Sequence, residues 1–285
     1  MKNFLITTSH FSDRIWFRDD ADFKIGMVYV AVASLLTSAA VLSFVLMSNH
    51  VHFVVRCTDE TEAKDIIEKY KSLYGRYLHY RYGESEMLRR VSVDIRELSG
   101  EEATEKAVAY THMNPVAANI CATPESYSWS SASSLFRTGG IRGSSIANMS
   151  CRARSKMFHT RTTLPDSLRI DNGMIVPESF VDTSYVERLF RKPSRYNFFL
   201  RTSSKARIKL EDDQHIPAFT DQVVGAAISN LCHSLFRKAS VQLLNFEQKV
   251  ELIRQLRFRF SSEIHQISRV CGFSPDEASI LFNEI

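Results

Sequence analysis

Met47-Ser48-Asn49-His50-Val51-His52-Phe53-Val54-Val55 sets two histidines around one valine inside an apolar run. Successive side chains of an extended strand point to opposite faces, so His50 and His52 share one face and Val51 takes the other. Two neutral imidazoles held side by side on a rigid element make half of a metal site. The plainer alternative is a pair of histidines on the wet face of an antiparallel strand. Upstream, Met27 to Met47 runs 21 residues without a charge, long enough for a membrane helix. Ser34, Thr37, Ser38 and Ser43 interrupt it, however, and its end merges into the histidine stretch. The pattern predicts a helix over about 21–36, a turn at Thr37-Ser38 and one buried strand over about 40–56, with no membrane span.

About sixty residues further on lies Tyr110-Thr111-His112-Met113-Asn114-Pro115-Val116. Ser99 and Glu102 form a capping-box pattern with acidic residues in the first turn, so a helix is expected to start there. Pro115 is expected to force its end. Tyr110 and Asn114 are four apart and emerge on one helical face, as suits a nucleophile beside a metal ligand. His112 lies almost opposite and receives no catalytic role.

Together with Tyr127-Ser128-Trp129-Ser130-Ser131, these two motifs carry a resemblance. The chain resembles the HUH-type single-strand DNA transposases with one catalytic tyrosine, and among them the REP-associated tyrosine transposases. The likeness covers residues 1–136, and more loosely 173–200 and the C-terminal helices. Three departures stand out: Ser48 replaces the proline usual before Asn49, Ala117 the arginine usual after Asn-Pro-Val, and Glu84 to Arg96 match poorly. The resemblance implies an α+β fold, a ferredoxin-like HUH nuclease core with an antiparallel sheet, followed by a mainly helical C-terminal module. It further implies an enzyme that cleaves and rejoins single-stranded DNA through a 5′-phosphotyrosine on Tyr110. His50, His52 and Asn114 would hold one divalent cation, Mg²⁺ or Mn²⁺, although two imidazoles alone tilt preference toward softer ions. The implied partner is a hairpin-forming repeat or element end, met by a monomer or a homodimer in the cytoplasm at the nucleoid. Two other readings stay open: a DNA-binding regulator that no longer cuts, and a metal-dependent hydrolase unrelated to DNA.

Charge divides the chain. Residues 1–136 carry a net −3 and residues 166–285 a net +1, while Arg137 to Pro165 hold six Lys or Arg and no acid. This last stretch, rich in Ser, Thr and Gly, reads as part of a flexible basic linker over 137–172, between a nuclease domain at 1–136 and a helical module at 173–285. Arg137, Arg142, Arg152, Arg154 and Lys156 are its candidate phosphate contacts. A helix over about 61–82 interleaves Tyr70, Tyr74 and Tyr77 with basic residues; Tyr70 and Tyr77 read as core, and Arg76 and Arg81 as DNA contacts. A first strand is expected over about 3–8, leading into a loop at His10 and Asp13-Arg14. Helical periodicity recurs around 182–201, 219–237 and 246–260. The tail from Ser262 has a helix-turn-helix outline whose second helix carries acids only, which favours packing over groove reading. Five widely spaced cysteines contain no C-x-x-C pair, against a disulfide framework or a cysteine-rich zinc site. The remaining histidines read as surface or satisfied core residues.

Overall fold

A computed structural model of the chain describes residues 1–8, 15–84, 88–118, 120–158, 163–211, 221–260, 262 and 264–284. The expected loop at His10 and Asp13-Arg14, and His159 and His215, lie outside the described residues.

The chain opens as β1 (Lys2–Thr8), α1 (Asp20–Leu36), β2 (Ala40–Met47), β3 (His50–Cys57), α2 (Glu60–Tyr82) and β4 (Val93–Leu98). The four strands form an antiparallel sheet in the order β2-β3-β1-β4, two split βαβ units side by side. Local chemistry sets the helix limits. Asp19 and Asp59 cap α1 and α2 by accepting from the amides of Asp22 and Glu62. Gly83, at φ +74°, closes α2 with its amide on the His79 carbonyl.

The single strand expected over 40–56 is in fact a hairpin. Met47 pairs directly with His50, leaving Ser48-Asn49 as the turn. The apolar run hides that reversal, whose only local signs are the two turn-forming residues. The Ser48 carbonyl is held from outside, by the amides of Trp16 at 2.8 Å and Phe17 at 3.2 Å. Among the described residues no helix is long and apolar enough to cross a membrane.

The sheet is covered on both faces. On one side Val51, Phe53 and Val55 meet Phe23, Val28 and Val32 of α1 and Ile66, Tyr70 and Tyr74 of α2. Tyr70 is core as expected, and Tyr77 is half-buried with its hydroxyl donating to Asp22 at 2.7 Å. The other side receives α3 (Glu101–Ala117). Its cap is Gly100 at φ +88° rather than Ser99, because β4 runs to Leu98 and two residues must turn the chain. Pro115 does not end α3 but sits inside its last turn, where the missing amide forfeits one bond only. The amides of Ala118 and Ile120 then close the helix on the carbonyls of Asn114 and Pro115.

The stretch read as a flexible basic linker is folded where it is described. It supplies β5 (Ser144–Ser145), α4 (Cys151–Phe158) and β6 (Arg169–Asp171), and with β7 (Met174–Ile175) makes a second antiparallel sheet. Ile146, Phe158, Leu164 and Leu168 are buried in the core that contains α1. These apolar residues are scattered among polar and basic ones, too sparse for a periodic signal in the sequence.

The rest is helical: α5 (Thr183–Phe190), α6 (Pro193–Glu211), α7 (Asp221–Phe236), α8 (Phe246–Phe260), α9 (Ile264–Cys271) and α10 (Pro275–Asn283). The first two pack on α3, with Val186, Phe190 and Phe199 against Val108 and Met113. The last four enclose a separate core around Leu231, Leu252, Leu256 and Ile267. The helix-turn-helix outline is present: Gly272 turns at φ +71° and Ser274 caps α10 on the amide of Glu277.

Candidate functional site

Strand alternation places His50, His52 and Val54 on the face that α3 covers. The two rings meet edge-on, centroids 4.8 Å apart at 88°. Both histidines are buried, so the wet-face alternative is overturned. The helix delivers Tyr110 to the same point: its ring lies 5.3 Å from that of His52, at 83°. Tyr110 is half-buried while the imidazoles are covered, so the tyrosine is the side of the cluster that solvent reaches.

Each donor is oriented by a second contact. Nδ1 of His50 lies 2.7 Å from Oδ1 of Asn49, and an amide oxygen can only accept, so that nitrogen carries the proton and Nε2 the lone pair. Nδ1 of His52 lies 3.1 Å from the Thr7 hydroxyl, the residue opposite it on β1. An outer oxygen fixing the ring while the other nitrogen faces inward is how metal-binding histidines are held. Asn114 is fully buried and donates through Nδ2 to the Tyr110 carbonyl at 2.8 Å. The donor set of two imidazole nitrogens and one amide oxygen fits a divalent cation in chemistry. Among the described residues no group of three or more His, Cys, Asp or Glu side chains is placed to hold a metal.

Thr7 and Asn49 escaped the sequence reading as orienting groups. Thr7 reaches His52 through strand pairing, which nothing local encodes, and Asn49 stood in the motif only as a neighbour. The Tyr127 to Ser131 segment proves architectural. It lies along the outer edge of β2, with Leu46 N on Trp129 O at 2.9 Å, Ser131 N on Phe44 O at 3.1 Å and Tyr127 Oη on Leu46 O at 2.7 Å. His112 points away from the cluster and is fully buried, which pushes its imidazole down to about 3.

The expected basic contacts divide. Arg81 is a structural cation: it bonds Asp19 and the Tyr77 hydroxyl at 2.9 and 2.7 Å and pairs with buried Asp22. Arg137 pairs with Glu178, and Arg154 with Asp166, both at 3.2 Å. Arg142, Arg152 and Lys156 are exposed. Arg76 is exposed beside Ser72, Gly75 and His79 in a hollow on α2. This hollow and α4, which packs on α1, belong to the helix layer across the sheet from the histidines. The structure thus brings Tyr110 to the face that carries His50 and His52, with Asn114 one turn further along α3, and leaves Arg76, Arg81, Arg152, Arg154 and Lys156 in the layer across the sheet.

No family model matches the chain, and no curated protein matches it. Among solved structures, a REP-associated tyrosine transposase bound to a REP hairpin superposes with a TM-score of 0.40 at 9% identity, over 50% of this chain and 87% of that one.

Proposed function

We propose that the chain is a metal-dependent, transposase-type endonuclease that cuts and rejoins single-stranded DNA through Tyr110. The observation that carries this reading is the approach of the Tyr110 ring to within 5.3 Å of His52, with His50 beside it. A half-buried phenol against two oriented imidazoles suits attack on a phosphodiester better than small-molecule hydrolysis, which asks for a concave, enclosed pocket. In the proposed reaction the phenolic oxygen bonds the scissile phosphorus and loses its proton. The bond to the 3′-oxygen breaks, and that oxygen takes up a proton. The phosphotyrosine conserves the energy of the broken ester, so rejoining needs no nucleotide.

His50 and His52, through Nε2, and Asn114, through Oδ1, would hold Mg²⁺ or Mn²⁺. Bound there, the cation would supply Lewis-acid withdrawal of charge from the phosphate. Thr7 and Asn49 hold the two rings in orientation, and the covered histidines keep bulk water from the reacting face.

The test is incubation of a labelled hairpin-bearing single strand with Mn²⁺. The parent protein is expected to yield a covalent protein–DNA adduct on a denaturing gel. Tyr110→Phe is expected to yield none while binding the strand as before. Equal cutting by Tyr110→Phe would remove the nucleophile; binding without cutting by the parent protein would favour the regulatory reading.

A further inference from the structure

We infer that α6 braces the tyrosine helix, with Tyr196 and Arg195 acting as positioning residues for Tyr110 through His112 and Glu105; this rests on Tyr110 being the nucleophile. The Tyr196 hydroxyl lies 2.8 Å from Nδ1 of His112, and the Ser131 hydroxyl 2.9 Å from its Nε2. Ser131 Oγ in turn donates to the Phe44 carbonyl at 3.4 Å. Ser131 Oγ also accepts from the Phe44 amide at 3.0 Å, so Ser131 is tied to β2 while both ring nitrogens of His112 are held by hydroxyls. The contacts form one chain: Tyr196 to His112, His112 to Ser131, Ser131 to the main chain of β2. It strings α6, α3 and the sheet edge on one line of buried hydrogen bonds.

Its position gives it purpose. His112 is two residues from Tyr110 and two from Asn114, on the opposite side of the helix. Pinning it sets how far α3 is rotated, and hence where the phenol and the amide point. A second tie lies seven residues earlier on the same helical face. Glu105, fully buried, takes a two-pronged bond from Arg195 at 2.5 and 2.6 Å. Two anchors two turns apart, held by adjacent residues of α6, fix both the rotation of α3 and its shift along its axis. Packing alone would not require this, since Phe190 and Phe199 already supply an apolar contact. Buried polar chains cost free energy unless fully satisfied, and what they add is a single arrangement. The Ser131 of the aromatic-Ser-Ser motif thereby acquires a role: it anchors the chain at its sheet end.

Tyr196→Phe removes one hydroxyl and keeps the ring, so the full-length variant is expected to fold. Three readouts separate the outcomes. With 3-fluorotyrosine incorporated, the Tyr110 fluorine resonance, assigned with Tyr110→Phe, is expected to shift or broaden in Tyr196→Phe. Single-turnover adduct formation is expected to fall tenfold or more, with strand affinity changed less than twofold. His112→Gln, whose amide can both donate and accept, is expected to recover more of the rate than His112→Phe. An unchanged resonance together with an unchanged rate would overturn the brace. If the parent protein forms no adduct, the nuclease reading fails, while the resonance of Tyr196→Phe still decides the brace: a shift or broadening upholds it, and an unmoved line overturns it.

Discussion

The side chains that decide the chemistry differ in how much of them the sequence reveals. His50, His52, Tyr110 and Asn114 could be singled out because strand and helix periodicities say which residues share a face. That the two faces meet is a tertiary fact; it emerges only when α3 settles on the sheet. His112 shows the limit: its spacing says where it does not point, and only the fold supplies Tyr196 and Ser131 as partners. Its stability signature is checkable. The folded imidazole sits at about 3 against a usual 6.5, so below pH 6.5 the unfolded chain binds a proton that the folded chain refuses. Its contribution is complete above pH 6.5 and drains away toward pH 3, at about 1.4 kcal/mol per pH unit inside that window. Urea unfolding at pH 7 and pH 5 should show this loss in the parent protein and a smaller one in His112→Gln.

Helices α1 and α2 were legible nearly to the residue, because caps and turn formers bracket them. The hairpin β2–β3 was not, since a run buried on both faces carries no alternation to mark its reversal. The edge strand β4 was missed altogether: Val93–Leu98 is half charged and reads as loop until β1 pairs with it. Between α1 and the hairpin the packing tolerance is small. A Cβ added at Gly26 would stand 2.5 Å from Cε1 of Phe17 and 3.0 Å from Cδ1 of Leu46. Phe17 is fully buried and stacked on Phe23 at 4.6 Å, so it has nowhere to retreat. Gly26→Ala should therefore cost about 1–3 kcal/mol, read as a lower denaturant midpoint, despite alanine's better helix propensity.

Across the whole molecule, the described contacts between the last four helices and the front of the chain converge on a few groups. Ile15 enters their core, and Arg259, 2% exposed, bonds the Arg18 carbonyl and reaches Asp20 at 3.2 Å. Arg259→Ala should weaken their attachment by about 1.5–3 kcal/mol, the usual worth of a charged hydrogen bond. Limited proteolysis should then degrade α7–α10 sooner than in the parent protein. If single-stranded DNA is the partner and runs past the histidine face to the basic segment across the sheet, its phosphates meet the exposed cations there. Replacing Arg142, Arg152 and Lys156 with alanine should reduce the slope of log affinity against log salt by about 2, from roughly 0.7 per phosphate contact. An unchanged slope would assign those residues to solvent. The wrapping of Tyr127 to Ser131 along β2 has one more effect. A foreign strand seeking to extend this sheet finds that flank already hydrogen-bonded, and the other flank, β4, bristling with exposed Asp94, Arg96 and Glu97. Cross-β stacking is thereby denied a template at either end, and peeling away a five-residue ribbon would be enough to offer one.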